Sequence, residues 1–130
     1  MDILKQVTLE LEKNPMILFA YLYGSVARGE QREDSDIDIA VYLSKHTNDP
    51  LLESKIGLEL QKKLGKNVDI RVINSASLVF IHQVLNNGQL LFSNDDKCRI
   101  NFETRKMDEY LDFKPVMEKY DKKRLERYGI

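Results

Sequence analysis

The sequence predicts a single α/β or α+β domain, in which helices pack against a β-sheet. Its 130 residues suffice for one domain with a real core. The apolar share of 42% and the charged share of 32% exclude a disordered tract. Segments with the helical period alternate along the chain with short apolar or alternating segments that are typical of strands. That alternation gives the fold class, while the order of strands within the sheet stays open.

The first two elements are a helix and a strand. Asp2–Lys13 is predicted as a helix because its apolar residues recur near a period of 3.6. Pro15 ends this helix, since the residue before a proline is pushed out of the helical region. Met16–Tyr23 is apolar on both alternating faces and is followed by Gly24. It is therefore predicted as a central strand that is covered on both sides.

Three further strands and two further helices follow in the middle of the chain. The second and third strands of the chain alternate apolar and polar residues, which is typical of a strand with one buried face. The first of these two helices ends at a glycine, and the second begins at a serine, as helix ends commonly do. In order, the predicted elements are the strand Asp36–Leu43, a helix from Asp49 to Gly65, the strand Val68–Ile73, a helix from Ser77 through Leu85, and the strand Gln89–Phe92.

The C-terminal segment is dense in charge. A helix is predicted from Asp95 or Asp96 towards Tyr110, and Pro115 is expected to kink it or to begin another helix. Its aromatic residues and Met117 have helical spacing, so they are expected either to pack or to form a stripe facing a partner. We therefore divide the chain into a core, residues 1–95, and a helical extension of the same domain, residues 96–130.

Charge and cysteine content exclude several classes of protein. The net charge of −1 gives no electrostatic footprint for a duplex-binding protein, so no direct contact with nucleic acid is expected. Cys98 is alone, which excludes a disulfide framework and a cysteine zinc cluster. The longest apolar run is too short to span a bilayer, and acidic residues interrupt the N-terminal segment, unlike in a signal peptide. The expected location is the cytoplasm, with no membrane partner.

The most informative stretch is a Gly-Ser turn followed by paired acids. Gly24 and Ser25 come directly after the predicted central strand, where glycine lets a ligand approach the backbone and free N–H groups with a hydroxyl can hold phosphate. Asp36 and Asp38 then lie two residues apart on the second strand, so both point to one face. Carboxylates this close repel each other unless a cation or a proton lies between them. A hard divalent ion such as magnesium fits this arrangement.

A third acid, Asp69, alternates with apolar residues on the third predicted strand. If this strand lies beside the second, three carboxylates converge near the Gly-Ser turn, which suits a two-metal site for phosphoryl or nucleotidyl transfer. The structural alternative is an ion pair of Asp38 with Arg28 or Arg71. Arg28 itself is equally suited to contact phosphate or to pair with a carboxylate of the site.

These residues resemble the signature of the DNA polymerase beta-like nucleotidyltransferase superfamily. Gly24-Ser25, ten intervening residues and Asp36-x-Asp38, with Arg28-Gly29 between them, are similar to its minimal, MNT-type members. The resemblance implies a small mixed sheet flanked by helices. It also implies catalytic and metal-binding roles for Asp36, Asp38 and Asp69, and nucleotide-binding roles for Gly24, Ser25 and Arg28.

The segment Tyr110–Pro115 resembles the ends of MNT antitoxins that pair with HEPN-domain ribonuclease toxins. This resemblance implies AMP transfer from Mg-ATP to a tyrosine hydroxyl of the toxin, which silences it. Two other functions stay open. One is a nucleotidyltransferase that acts on small molecules such as antibiotics, and the other is an antitoxin that only binds its partner.

Overall fold

The structure, a computed structural model, describes residues 2–27, 29, 36–127 and 129, without the side chains of residues 25 and 26. Within these residues the chain forms four strands and five helices. The strands are β1 (Ile17–Tyr23), β2 (Ile37–Leu43), β3 (Val68–Val72) and β4 (Gln89–Ser93). The helices are α1 (Ile3–Glu12), α2 (Gly24–Ala27), α3 (Leu52–Leu64), α4 (Leu78–Asn87) and α5 (Asp96–Arg127).

The strands form one mixed sheet in the order β3-β2-β1-β4. β1 pairs antiparallel with both β2 and β4, and β2 pairs parallel with β3. β1 is therefore an interior strand, and five of its seven residues are buried. This confirms the prediction of a central strand that is covered on both faces.

Helices cover both faces of the sheet. On one face, α1 and α3 pack over the inward residues of β2 and β3. On the other face, α4 and the first part of α5 pack over a second cluster that includes Phe19 and Ala40. Phe102 anchors α5 in this cluster, with its ring 5.9 Å from Phe19 and 4.9 Å from Tyr42. The sheet is thus the middle layer of three.

Several predicted element boundaries shift by one to three residues, among them the starts of β2 and α3. β2 begins at Ile37, so Asp36 precedes the strand instead of opening it. α3 begins at Leu52 rather than at Asp49, because the Asp49 carboxylate accepts the Leu51 N–H at 2.9 Å in a turn before the helix. The Ser77 cap is confirmed by its hydroxyl accepting the Phe80 N–H.

α5 is one helix of 32 residues, and Pro115 lies inside it. Of the two expectations for Pro115, the start of a second helix is therefore wrong, and the kink stays a prediction. A proline removes one backbone hydrogen bond, while the Lys, Glu, Met and Leu residues on both sides favour continuation of the helix. No helix in the described part of the chain is long and apolar enough to cross a membrane.

The second half of α5 has little contact with the rest of the chain. Tyr110 stacks on His82 with ring centroids 3.6 Å apart. Beyond Tyr110, five large apolar side chains of α5 are exposed to between 41% and 66%; they are Leu111, Phe113, Val116, Tyr120 and Leu125. Of the two expectations for these aromatic residues, packing within the chain is therefore wrong for Phe113 and Tyr120.

Candidate active site

Three neighbouring strands bring a tyrosine and two carboxylates into one row. Tyr23, the last residue of β1, is the register partner of Asp38 on β2. Asp38 is in turn the register partner of Asp69 on β3. Residues directly opposite each other project from the same face of a sheet. The second and third strands are therefore neighbours, which is the condition under which their carboxylates were expected to converge, and Asp38 and Asp69 lie side by side.

The alternation of β2 determines which face carries this row. Ile37, Ile39 and Val41 are buried under α1 and α3. Asp38 must therefore project from the opposite face, together with Ala40, which packs in the cluster beneath α4 and α5. Asp38 is half-buried, whereas Asp69 is exposed.

Asp36 stands outside this row. It lies one residue before β2, is exposed, and lines the same surface groove as Asp69. Among the described residues, no three His, Cys, Asp or Glu side chains are gathered closely enough to hold a metal ion. The chain thus pairs Asp38 with Asp69 and leaves the third carboxylate at the mouth of the groove.

Gly24 lies against the Asp38 side chain. Its φ of 77° is in the left-handed region, which side chains rarely adopt. A Cβ atom at this position would overlap the Asp38 carboxylate and would lie 3.1 Å from its Cγ. Gly24 therefore allows both the turn into α2 and the position of Asp38, a constraint that the motif alone did not reveal.

The described part of the chain excludes Arg28 and the side chain of Ser25, two of the predicted nucleotide-binding residues. Ser25 lies in α2, but its side chain is outside the described part of the chain. Arg28 lies outside the described residues. The roles predicted for Ser25 and Arg28 therefore stay predictions.

A groove of about 800 Å³ begins at Asp69 and runs along the outer edge of β3, between α3 and the start of α4. Glu53 of α3 closes part of this edge, because its carboxylate accepts the Val72 N–H at 2.7 Å. Arg71 is the one cationic side chain among the described residues that line the groove. The described lining of the groove thus carries three carboxylates, those of Asp36, Glu53 and Asp69, and a single guanidinium.

Phe80 of α4 forms an aromatic wall behind the acids. The Tyr23 ring meets Phe80 edge-on at 5.3 Å, and the Arg71 guanidinium lies 5.4 Å from the centre of the Phe80 ring. Burial raises the pKa of Tyr23 to about 12; Arg71 lowers this pKa, whereas Asp38 and Asp69 raise it. Tyr23 therefore keeps its hydroxyl proton at neutral pH.

Little in the sequence indicates this wall. Tyr23 ends a strand that is predicted to be covered on both faces, and Arg71 is predicted only as an alternative ion-pair partner of Asp38. The alternation of β3 does place Arg71 on the face of Asp69, which is a usable signal. The contribution of Phe80 depends on the packing of α4, which local periodicity does not encode.

Comparison with known protein families identifies the domain that carries this site. The pattern of the family described as polymerase beta, nucleotidyltransferase matches residues 5–97, which include all four strands. The chain belongs to this nucleotidyltransferase family. The resemblance of the Gly-Ser turn and the acids is thereby confirmed at the level of the family.

One curated relative of this nucleotidyltransferase is the protein adenylyltransferase MntA of Shewanella oneidensis. The two are 35% identical over 88 residues, which cover 68% of this chain and 63% of MntA. The chain therefore matches less than two thirds of the length of this relative.

Two solved structures share the fold over nearly the whole chain. A chain of a toxin–antitoxin complex with AMP-PNP has a TM-score of 0.77 at 26% identity, with 96% of this chain and 99% of that chain covered. A second structure is a tri-AMPylated HEPN toxin of Shewanella oneidensis in complex with its MNT antitoxin. Its TM-score is 0.73 at 22% identity, with 95% of this chain and 97% of that chain covered, and this likeness concerns the fold alone.

Proposed function

We propose that this nucleotidyltransferase is an antitoxin that transfers AMP from Mg-ATP to a tyrosine hydroxyl of a HEPN-type ribonuclease toxin. The observation that carries this proposal is the pairing of Asp38 with Asp69 beside Gly24. The similarity to MntA, which is named as a protein adenylyltransferase, supports a protein as the acceptor of AMP. The likeness to a chain of a toxin–antitoxin complex with AMP-PNP supports ATP as the donor.

The donor set of the site suits magnesium. Asp38 and Asp69 present carboxylate oxygens from adjacent strands, and Asp36 lies at the mouth of the groove. Such oxygens are the ligands that Mg²⁺ prefers. We propose that Asp36, Asp38 and Asp69 hold two magnesium ions, which supply positive charge beside the phosphates.

Different residues of the chain are proposed to have different roles in the transfer of AMP. Gly24, Ser25 and Arg28 are proposed to hold the triphosphate. Asp69 accepts the proton of the acceptor hydroxyl. The acceptor oxygen forms a bond to the α-phosphorus, the bond from that phosphorus to the bridging oxygen breaks, and pyrophosphate leaves with the electron pair.

The extension is proposed to bind the toxin. Residues 1–95 contain the sheet and the acids, while residues 96–130 contain α5 with its exposed apolar residues. Large apolar side chains on a charged helix are typical of a protein interface. We place the protein in the cytoplasm, where ATP is available.

Transfer should require a divalent ion. The protein is incubated with its partner and labelled ATP, with magnesium or with excess chelator, and label on the partner is measured. We expect label only with magnesium, because unneutralised phosphates and carboxylates repel each other. Equal labelling in excess chelator would contradict the metal site.

Gly24→Ala should abolish transfer at a modest cost in stability. We expect a loss of about 1–2 kcal/mol in the free energy of unfolding, because alanine disfavours a positive φ. Transfer should be lost because the new Cβ displaces the Asp38 carboxylate. Gly65→Ala is the matched control, since Gly65 has a φ of 68° and its Cβ would meet nothing within 4 Å. Urea unfolding and labelling are compared, and transfer at the parent rate by Gly24→Ala would contradict this role of the glycine.

A further inference from the structure

Two neighbours define where Arg71 lies in the groove, namely its register partner Ala40 and the ring of Phe80. It lies two residues after Asp69 on β3, so the two side chains share a face. Its register partner on β2 is Ala40, a small residue that is fully buried. Above this small side chain, the Arg71 guanidinium lies over Phe80 of α4. The contact with Phe80 thereby places the Arg71 guanidinium against α4, at the side of the groove.

One face of the Arg71 guanidinium lies against Phe80, whose ring is itself held by the edge of Tyr23. Arg71 is nevertheless an exposed residue that lines the groove. A guanidinium is planar and stacks on aromatic rings. Arg71 can therefore receive a second aromatic ring from the groove, next to Asp69.

The charge of Arg71 reaches the place where an acceptor hydroxyl would react. Arg71 lines the groove together with Asp69, and the two side chains share a face of β3. Among the described residues that line this groove, the other charged side chains are those of Asp36, Glu53 and Asp69, while Phe80 of α4 is neutral. A phenol beside the acid pair is thus within reach of Arg71.

We propose that Arg71 selects an aromatic hydroxyl as the AMP acceptor, by stacking on the acceptor ring and by stabilising its phenolate. This inference rests on the proposed function and names the residue that sets its acceptor class. In the transfer step, the phenol gives its proton to Asp69, and the phenolate oxygen bonds to the α-phosphorus. The bond to the bridging oxygen breaks as pyrophosphate leaves. A serine or threonine residue has no aromatic ring to stack on Arg71 and forms no phenolate, so Arg71 would not favour it as an acceptor.

The test compares the full-length parent with Arg71→Gln on the intact partner at saturating Mg-ATP. We expect transfer to fall about 10-fold or more, because a nearby positive charge lowers the pKa of a phenol by one unit or more. Affinity for a fluorescent ATP analogue and the melting temperature should stay at the parent values, because Arg71 is exposed and lies on the acceptor side. Lys5→Met, which removes an exposed charge from α1, is the control.

A second acceptor substrate distinguishes the proposed role of Arg71 from a purely structural role. The AMP-bearing tyrosine of the partner is identified by mass spectrometry and replaced by a fluorinated tyrosine, whose phenol ionises more readily. We expect the defect of Arg71→Gln to shrink on this acceptor, whereas a structural defect would be the same on both. Arg71→Lys keeps the charge and should retain more activity than Arg71→Gln. Phe80→Leu, which removes the stack, should lie between parent and Arg71→Gln.

The outcomes separate this inference from the function on which it rests. Equal transfer by parent and Arg71→Gln overturns the role of Arg71 and leaves the proposed function standing. An equal loss on both acceptors, or weaker binding of the ATP analogue, also overturns it in favour of a structural or phosphate-binding role. Failure of the parent to label the partner overturns the proposed function, and this inference with it.

Discussion

Replacing Asp36 and Asp38 together by Asn should reduce AMP transfer by about 100-fold or more, while the chain still folds and binds its partner. The substitutions remove two carboxylate charges at little change in volume. They also relieve repulsion with Asp69, the register partner of Asp38, so the free energy of unfolding should not fall. Labelling of the partner, urea unfolding and a pull-down measure the three quantities.

The matched control removes two carboxylates from another part of the surface. Glu12 and Glu59 lie on α1 and α3 and are exposed. Glu12→Gln with Glu59→Gln makes the same change in net charge as the double Asn variant. We expect it to transfer AMP at the parent rate. If both double variants lost transfer equally, net charge and not the site would explain the loss.

Ending the chain after Tyr110 should weaken partner binding about 100-fold or more and leave the fold intact. The lost part of α5 contributes no residue to either buried cluster, and the stack of Tyr110 on His82 is kept. Its apolar side chains are exposed in this chain, so we expect them to become buried against the partner, where each is worth about 1.5–3 kcal/mol. Pull-down titration measures affinity, and binding of an ATP analogue shows that the site persists.

Point variants show whether the loss of partner binding comes from the missing apolar side chains or from the shorter helix. Val116→Ser with Tyr120→Ser removes two of the most exposed apolar side chains of α5. Lys119→Ser with Lys123→Ser changes two exposed charged positions nearby. We expect the first pair to weaken partner binding and the second pair to have a smaller effect. Unchanged binding by the truncated chain would show that the partner contacts another surface.

Local sequence patterns predicted most elements of this fold because each pattern reports burial along one segment. β1 is apolar on both faces since helices cover both sides of it, and β2 alternates since Asp38 faces away from α1 and α3. The strand order depends on pairing between distant segments, which local periodicity does not contain. No second helix begins at Pro115, because residues on both sides of a proline can continue a helix when their own propensity is high.

The parts of the site that depend on the spacing of residues along the chain could be predicted from the sequence. The parts that depend on packing between different elements could not. Asp36, Asp38 and Asp69 stood out because carboxylates interrupt apolar strands. The contact of Gly24 with Asp38 and the stack of Arg71 on Phe80 join residues from different elements. Such contacts follow from the positions of α2 and α4 over the sheet, so they became visible only in three dimensions.

The intact mass of the partner, measured beside its toxicity, tests the central claim most directly. The partner is incubated with Mg-ATP and either the parent or the Asp36→Asn, Asp38→Asn variant, and is then analysed by mass spectrometry and by an RNA-cleavage assay. The account predicts that the parent adds the mass of at least one AMP and silences RNA cleavage. The variant should bind the partner, add no mass and, once separated from it, leave cleavage active. Lasting neutralisation by the variant equal to that of the parent, without any gain in mass, would contradict the account and establish binding alone as the mechanism.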